Sequence, residues 1–282
     1  MYPSSFTSLI VTYNSADEVL NLLADLHSHV PNHRIIVIDN ASRDETVEVV
    51  QKYFPQVRLI RNSTNVGYAR AVNQGFELCD TEYVSLLNPD IRIPSSQIFS
   101  DMEEPLKHFR QIAAVAPLQF KGDEKEHSVT FTWSHVTLST FKLYLSSLLR
   151  REQHLTEPMP VTFLNAGCLF LRGSAFEQVG KLNEKYFMYG EEPDLFLKFR
   201  RHGFECYLLP NCSVTHYRER SLMKVPIWNR LQIRFRAVGN VLDALIRGWA
   251  NILLDQLAPN ALRRTGRKGK LAVRKNLSGN PS

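Results

Sequence analysis

The stretch from Ser8 to Asp90 predicts an α/β fold with a mostly parallel central sheet flanked by helices, on two observations. Apolar strand-like runs alternate with runs whose apolar residues recur at helical spacing, the signature of successive βαβ units. Three of these strands end in polar clusters, and ligands of parallel sheets bind beyond the carboxyl ends of strands. A third feature, an apolar stripe at helical spacing after Ser221, adds a C-terminal helical extension to that fold.

Taken in order, Ser8 to Tyr13 reads as a buried strand, and Ala16 to Ser28 as a helix with Val19, Leu22, Leu23 and Leu26 on one face. Arg34 to Asp39 is a second buried strand and Asp44 to Phe54 a second helix. Val57 to Ile60 makes a short third strand, Ala69 to Leu78 a third helix, and Tyr83 to Leu87 a fourth strand. The polar clusters are Thr12, Tyr13 and Asn14; Asp39 and Asn40; Asn88 and Asp90. From Lys121 to Pro160 the pattern is irregular, as expected of an excursion from the core. Regular signals resume with the apolar run Val161 to Leu171, a helix near Ser174 to Val179, and a helix from Pro193 to His202 that stops at Gly203. Trp228, Leu231, Phe235, Val238, Leu242, Leu245, Trp249 and Leu253 then form the stripe. These boundaries predict a principal α/β domain over 1–221, an amphipathic helical extension over 222–260 and a basic, disordered tail over 261–282.

Composition narrows the class. The 282 residues carry a net charge of +6, unevenly distributed. From Arg218 onward there are 14 Lys+Arg against 3 Asp+Glu, a surplus of +11, so the preceding part holds 20 against 25, or −5. An acidic body with a basic tail predicts approach to an anionic membrane surface, and less readily to a nucleic acid. The four cysteines show no metal-type spacing and are expected to be free thiols. No basic region precedes the first apolar run and no apolar stretch is long enough to span a bilayer, so a cytoplasmic, at most peripheral protein is expected.

Two acidic clusters carry the chemistry. Asn88-Pro89-Asp90 closes a buried strand, so it is either a plain turn or a carboxylate set at the sheet edge for a divalent cation whose other ligands are phosphates and waters. Glu191, Glu192 and Asp194 sit where a helix begins, a placement that the helix dipole favours in any case. Such crowding should raise the pKa of at least one of them toward the range of a general base.

The ordered segments Ser8-Leu-Ile-Val-Thr-Tyr-Asn14, Ile36-Val-Ile-Asp-Asn-Ala-Ser-Arg-Asp44, Asn65-Val-Gly-Tyr-Ala-Arg-Ala-Val-Asn-Gln-Gly75 and Leu86-Leu-Asn-Pro-Asp90 resemble family-2 glycosyltransferases, in particular bacterial rhamnosyltransferase-like members. The likeness continues through Asn165-Ala-Gly-Cys-Leu-Phe-Leu-Arg172, Tyr186-Phe-Met-Tyr-Gly-Glu-Glu-Pro-Asp-Leu195 and Val214-Thr-His216. It implies the GT-A fold and inverting transfer of a sugar, such as rhamnose or another deoxyhexose, from a nucleotide diphosphate donor. The acceptor implied is a glycan or lipid-linked sugar in surface polysaccharide assembly, with Mn2+ or Mg2+ as cofactor.

Position by position, the resemblance places Thr12 and Tyr13 along the nucleobase and has Asp39 bond the base. Arg70 would face the nucleotide near its diphosphate, and Gly167 would allow close backbone approach to the donor sugar. Asn88 and Asp90 occupy the family's Asp-x-Asp motif, with Asp90 as the metal ligand and Asn88 on the ribose or a water. His216 matches a histidine that joins the metal in some relatives, and it reads equally as a hydrogen-bonded histidine at a strand end. The family pattern reads Glu-Asp where this chain has Glu191-Glu192, so Glu192 takes the place of the catalytic base, with Glu191 in reserve. Phe187, Met188 and Tyr189 line an acceptor or fill core.

Rival readings fare worse. A nucleotidyltransferase carries a Gly-rich basic loop after its first strand, whereas this chain has Asn14-Ser-Ala-Asp-Glu18. A nucleic-acid-binding module would interleave aromatics with its basic residues, and none lies between Arg263 and Lys275, so no nucleic acid is expected as a partner. A degenerate transferase serving as a scaffold sits poorly with the retained Asp39, Asp90 and Glu192.

Overall fold

The computed structural model of the chain describes residues 5–121, 157–217, 238–247 and 250. Its elements are β1 (Phe6–Thr12), α1 (Ala16–His29), β2 (Arg34–Asp39), α2 (Thr46–Tyr53), β3 (Arg58–Arg61), α3 (Tyr68–Phe76), β4 (Tyr83–Leu87), β5 (Ile91–Arg92) and α4 (Gln97–His108). They continue with β6 (Ile112–Lys121), β7 (Met159–Val161), β8 (Cys168–Arg172), α5 (Gly173–Gln178), α6 (Glu191–Arg201) and β9 (Glu205–His216). Residues 238–247 form a further helical piece.

Among the described residues one nine-stranded sheet runs in the order β3-β2-β1-β4-β8-β6-β9-β5, with β7 also on β9. β3, β2, β1 and β4 are parallel, as the alternating pattern predicts. β8 then enters antiparallel between β4 and β6, and β6 pairs parallel with β9. The sheet is therefore parallel on its first half and mixed on its second. The carboxyl ends of β1, β2, β4, β6 and β9 all point to one edge, and so does the amino end of β8, whose Cys168 lies opposite Leu87.

The strands carry almost unbroken apolar sequence because helices cover both faces. Leu22, Leu23 and Leu26 of α1, Val50 of α2 and Met102 and Leu106 of α4 pack on one face, against Ile10, Val37, Val115 and Phe170. Ala69 and Val72 of α3, Phe176 of α5 and Leu195, Phe196 and Phe199 of α6 pack on the other, against Leu9, Ile38, Leu86 and Leu169. Gly75 makes the fit of α3 possible, since a Cβ there would fall 2.7 Å from Ile38 Cδ1.

Several sequence expectations need revision. The apolar run Val161 to Leu171 is not one element: β7 ends at Val161 and β8 begins at Cys168, with a loop between that reaches the sheet edge. Strands β6 and β9 and helix α4 lacked a clear signal, for a shared reason. Pro117, Pro210 and Pro105 interrupt them, and the β6–β9 register slips beside Pro117. The second helix of the later half begins at Glu191, two residues ahead of Pro193. The four cysteines are free thiols, as expected. Most of the 121–160 excursion and of the 222–260 extension, and all of the 261–282 tail, lie outside the described residues. No helix among the described residues is long and apolar enough to cross a membrane.

Candidate functional site

The common edge of the strands gathers nearly every residue singled out in the sequence. At the end of β2, Asp39 is 2% exposed, and its carboxylate accepts from Thr12 Oγ1 at 3.0 Å and from Ser42 N at 3.0 Å. Asp39 thus closes the turn after β2 while standing at the edge. Thr12 itself is buried beneath Asp39, whereas Tyr13 is 40% exposed and faces outward. Asn14 and Ala41 adopt positive φ, which lets the loops after β1 and β2 interlock through Asn14 N to Ser42 Oγ and Arg43 N to Asn14 Oδ1. Asn40 Nδ2 reaches Gly67 O at 3.3 Å, tying this edge to the start of α3.

Asn88-Pro89-Asp90 is a genuine turn, closed by Ile91 N to Asn88 O at 3.2 Å. It is also part of a compact polar cluster. Asp90 Oδ1 lies 3.2 Å from His216 Nε2, with both side chains nearly buried. Asn88 Nδ2 is 3.4 Å from the same nitrogen. His216 Nδ1 faces Gln119 Oε1 at 3.1 Å, while Gln119 Nε2 donates to the carbonyls of Asn165 and Cys168. Those two carbonyls orient the Gln119 amide so that its oxygen accepts the Nδ1 proton, leaving Nε2 turned toward Asp90. Gly167 makes room for the ring: a Cβ there would lie 2.5 Å from His216 Cε1. Its carbonyl accepts from Asn88 N at 2.8 Å. Gly167 is therefore a packing requirement of His216, a cause that sequence alone did not reveal.

Asp90 Oδ1 and His216 Nε2 face each other in this cluster, an arrangement that a shared proton or a bound cation satisfies. Among the described residues no group of three or more ligand-type side chains is assembled. A divalent cation that arrives with a diphosphate takes most of its ligands from phosphate and water, so this carboxylate–imidazole pair fits such an ion.

The second cluster begins on a strained turn. Tyr189 (φ 62°) and Gly190 (φ 97°) are both left-handed and lead directly into α6. Glu191 is 4% exposed, and its Oε2 has no hydrogen-bond partner among the described residues. Burial, seconded by the neighbouring Glu192, pushes the Glu191 carboxyl up to about 8. The crowding expected from the sequence is thus the lesser cause. Glu192 is half-buried. Asp194 is drawn away into a pair with Lys198 at 2.9 Å. Tyr68, at the start of α3, senses both glutamates: burial and then their charges hold its phenol well above the usual range.

Arg70 is half-exposed and pairs with Glu184 at 3.0 Å, on the loop that precedes α6. Phe187 and Tyr189 are 52% and 40% exposed, so they are not core. Sequence reasoning missed Gln119, a polar residue in a largely apolar strand, and Tyr68, whose proximity to the glutamates is purely tertiary.

A mixed α/β sheet that carries a buried aspartate and a carboxylate–imidazole pair at its edge suits a glycosyltransferase that takes a nucleotide sugar, and comparison with known proteins bears that class out. The model of glycosyl transferase family 2 matches residues 7–180, and the chain belongs to that family. It is 27% identical over 237 residues to the N-acetylglucosaminyl-diphospho-decaprenol L-rhamnosyltransferase of Mycobacterium tuberculosis, covering 77% of each chain. It is 22% identical over 219 residues to the rhamnosyltransferase WbbL of Escherichia coli K12, covering 74% of this chain and 82% of that one. Among solved structures, the Pyrobaculum calidifontis mannosyltransferase PcManGT, in complex with GDP-Man and Mn2+, matches the fold with a TM-score of 0.60 at 14% identity, over 98% of this chain and 70% of that one.

Proposed function

We propose that the chain transfers a deoxyhexose, rhamnose foremost, with inversion from a nucleoside diphosphate donor onto a glycan or lipid-linked acceptor. The observation that carries this reading is the Asp90–His216 pair at the carboxyl edge of the strands, with the Glu191–Glu192 helix start tied to the same side of the sheet through Gly67 and Tyr68. The rhamnosyltransferase relatives favour the sugar, and the decaprenol-linked substrate named for one of them favours a lipid-linked acceptor.

Tyr13 and Asp39 flank the base, and Asn88 lies beside the ribose and diphosphate. Asp90 and His216 hold Mn2+ or Mg2+, with Gln119 fixing the imidazole so that Nε2 is the nitrogen presented. When bound, the cation neutralises charge on the departing diphosphate. Glu192 takes the proton of the acceptor hydroxyl as its oxygen bonds to the anomeric carbon and the bond to the diphosphate oxygen breaks on the opposite side. Glu191 is the poorer base, because its carboxyl keeps a proton at neutral pH.

The test is nucleotide release by purified protein across a panel of nucleotide sugars, with Mn2+ or Mg2+ and with chelator. One donor should turn over in a metal-dependent way. Asp90→Ala and Glu192→Gln should each lose about 100-fold or more, and Glu192→Gln should still bind the nucleotide. Full turnover in Glu192→Gln would remove it as the base, and donor turnover unaffected by chelator would remove the cation.

A further inference from the structure

The loop 183–190, which delivers Glu191 and Glu192, is gripped from two sides. On one side stands α3. Asn73 donates to Leu182 O at 3.0 Å and accepts from Leu182 N at 3.1 Å, while Glu184 bonds Asn73 and Arg70. Tyr68 N donates to Phe187 O at 2.9 Å, an approach open only to glycine at position 67, where a Cβ would fall 2.6 Å from that oxygen. On the other side stands the helical piece 238–247. Asp243 accepts from Tyr186 Oη at 2.8 Å and from Lys185 Nζ at 2.6 Å. Asn240 Nδ2 donates to Met188 O at 3.0 Å, and a Cβ on Gly190 would meet Asn240 at 2.9 Å.

This second grip contrasts with the sequence pattern. Among the described residues of the stripe, Val238 and Leu242 are 60% and 52% exposed and Leu245 is half-buried, and the hydrogen bonds to the domain come from Asn240 and Asp243, beside the buried Ala244. The grip also falls where it is needed. Two consecutive left-handed residues, one of them Tyr189, precede the glutamates, and such a turn persists only where its surroundings over-determine it.

We propose that Asp243 and Asn240 are positioning residues for the transfer reaction, holding the 183–190 loop so that Glu192 meets the acceptor hydroxyl. They act through Lys185, Tyr186 and Met188, to which their hydrogen bonds run. The helix 238–247 is then part of the catalytic unit, and a unit ending at residue 221 lacks one wall of its site. This rests on the transferase reading given above.

Asp243→Ala and Asn240→Ala in the full chain are the test, read by kinetics, nucleotide binding and amide hydrogen exchange. Each should lower kcat by about 10-fold to 100-fold, the cost of displacing a catalytic group by about an ångström. Donor nucleotide affinity should stay within about twofold of the parent, since the Asp90–His216 cluster lies on other elements. Exchange should quicken over 183–190 and not over β1 and β4. Asp243→Asn, which keeps an acceptor for Tyr186, should recover most of the rate. Unchanged kcat, or exchange that quickens equally throughout the domain, overturns the proposal. Should the parent protein turn over no donor, the transferase reading fails by itself, while exchange over 183–190 still decides whether the helix anchors the loop.

Discussion

At the scale of single residues, Glu191 is a carboxyl held almost wholly out of water. Its carboxyl keeps a proton up to about 8 in the folded chain, whereas the unfolded chain releases it near 4.5. Between those values the folded state binds the extra proton, so its stability falls as pH rises through that window. Glu191→Gln removes the titration. Its melting temperature should therefore draw ahead of the parent's as pH is raised from about 5 to about 8, in nucleotide-free protein. A constant difference across that range would show that Glu191 is charged, or solvated, throughout. Gln119 makes a different point. Its amide is fully used by two carbonyls and one imidazole, so it selects which nitrogen of His216 faces Asp90 without itself reaching the opening.

At the scale of elements, Arg172 at the end of β8 bonds the carbonyls of Leu106, Phe109 and Ile112 and pairs with Glu82, binding the α4–β6 turn to the sheet. Arg172→Ala strands those carbonyls and should cost about 2–4 kcal/mol in urea unfolding, with nucleotide affinity preserved in the protein that remains folded. An effect below about 0.5 kcal/mol would mean that water replaces the guanidinium at no cost. Legibility in the sequence also divides by element. β1, β2 and β4 and their helices were readable because apolar runs and helix-spaced leucines are local signals, and the ends of those strands located Asp39 and Asp90. Strands β6 and β9 were not, since prolines broke their pattern and their pairing lies far apart in the chain. The insertion of β8 between β4 and β6 is a matter of sheet order, to which no local pattern points. For the same reason the partners of His216 and the polar contact face of helix 238–247 could not be read from spacing alone.

At the scale of the whole molecule, charge is segregated: −5 up to residue 217 and +11 beyond it. With a lipid-linked acceptor proposed, that gradient would orient the protein at an anionic surface. The full chain should co-sediment with phosphatidylglycerol-containing vesicles at low salt and be released as ionic strength approaches about 1 M, where screening acts within about 3 Å. Equal recovery with neutral phosphatidylcholine vesicles would refute an electrostatic attachment. The sheet order has a further consequence, for synthesis on the ribosome. Asn88 and His216 stand 128 positions apart, and β9 is the final strand of the sheet to be made. A nascent chain can lay down β1 to β4, with Asp39 and Asp90 in place, long before the imidazole exists. The carboxylate–imidazole pair is closed last, so the growing polypeptide cannot assemble the proposed cation site until the helix bearing Glu191 and Glu192 has already been translated.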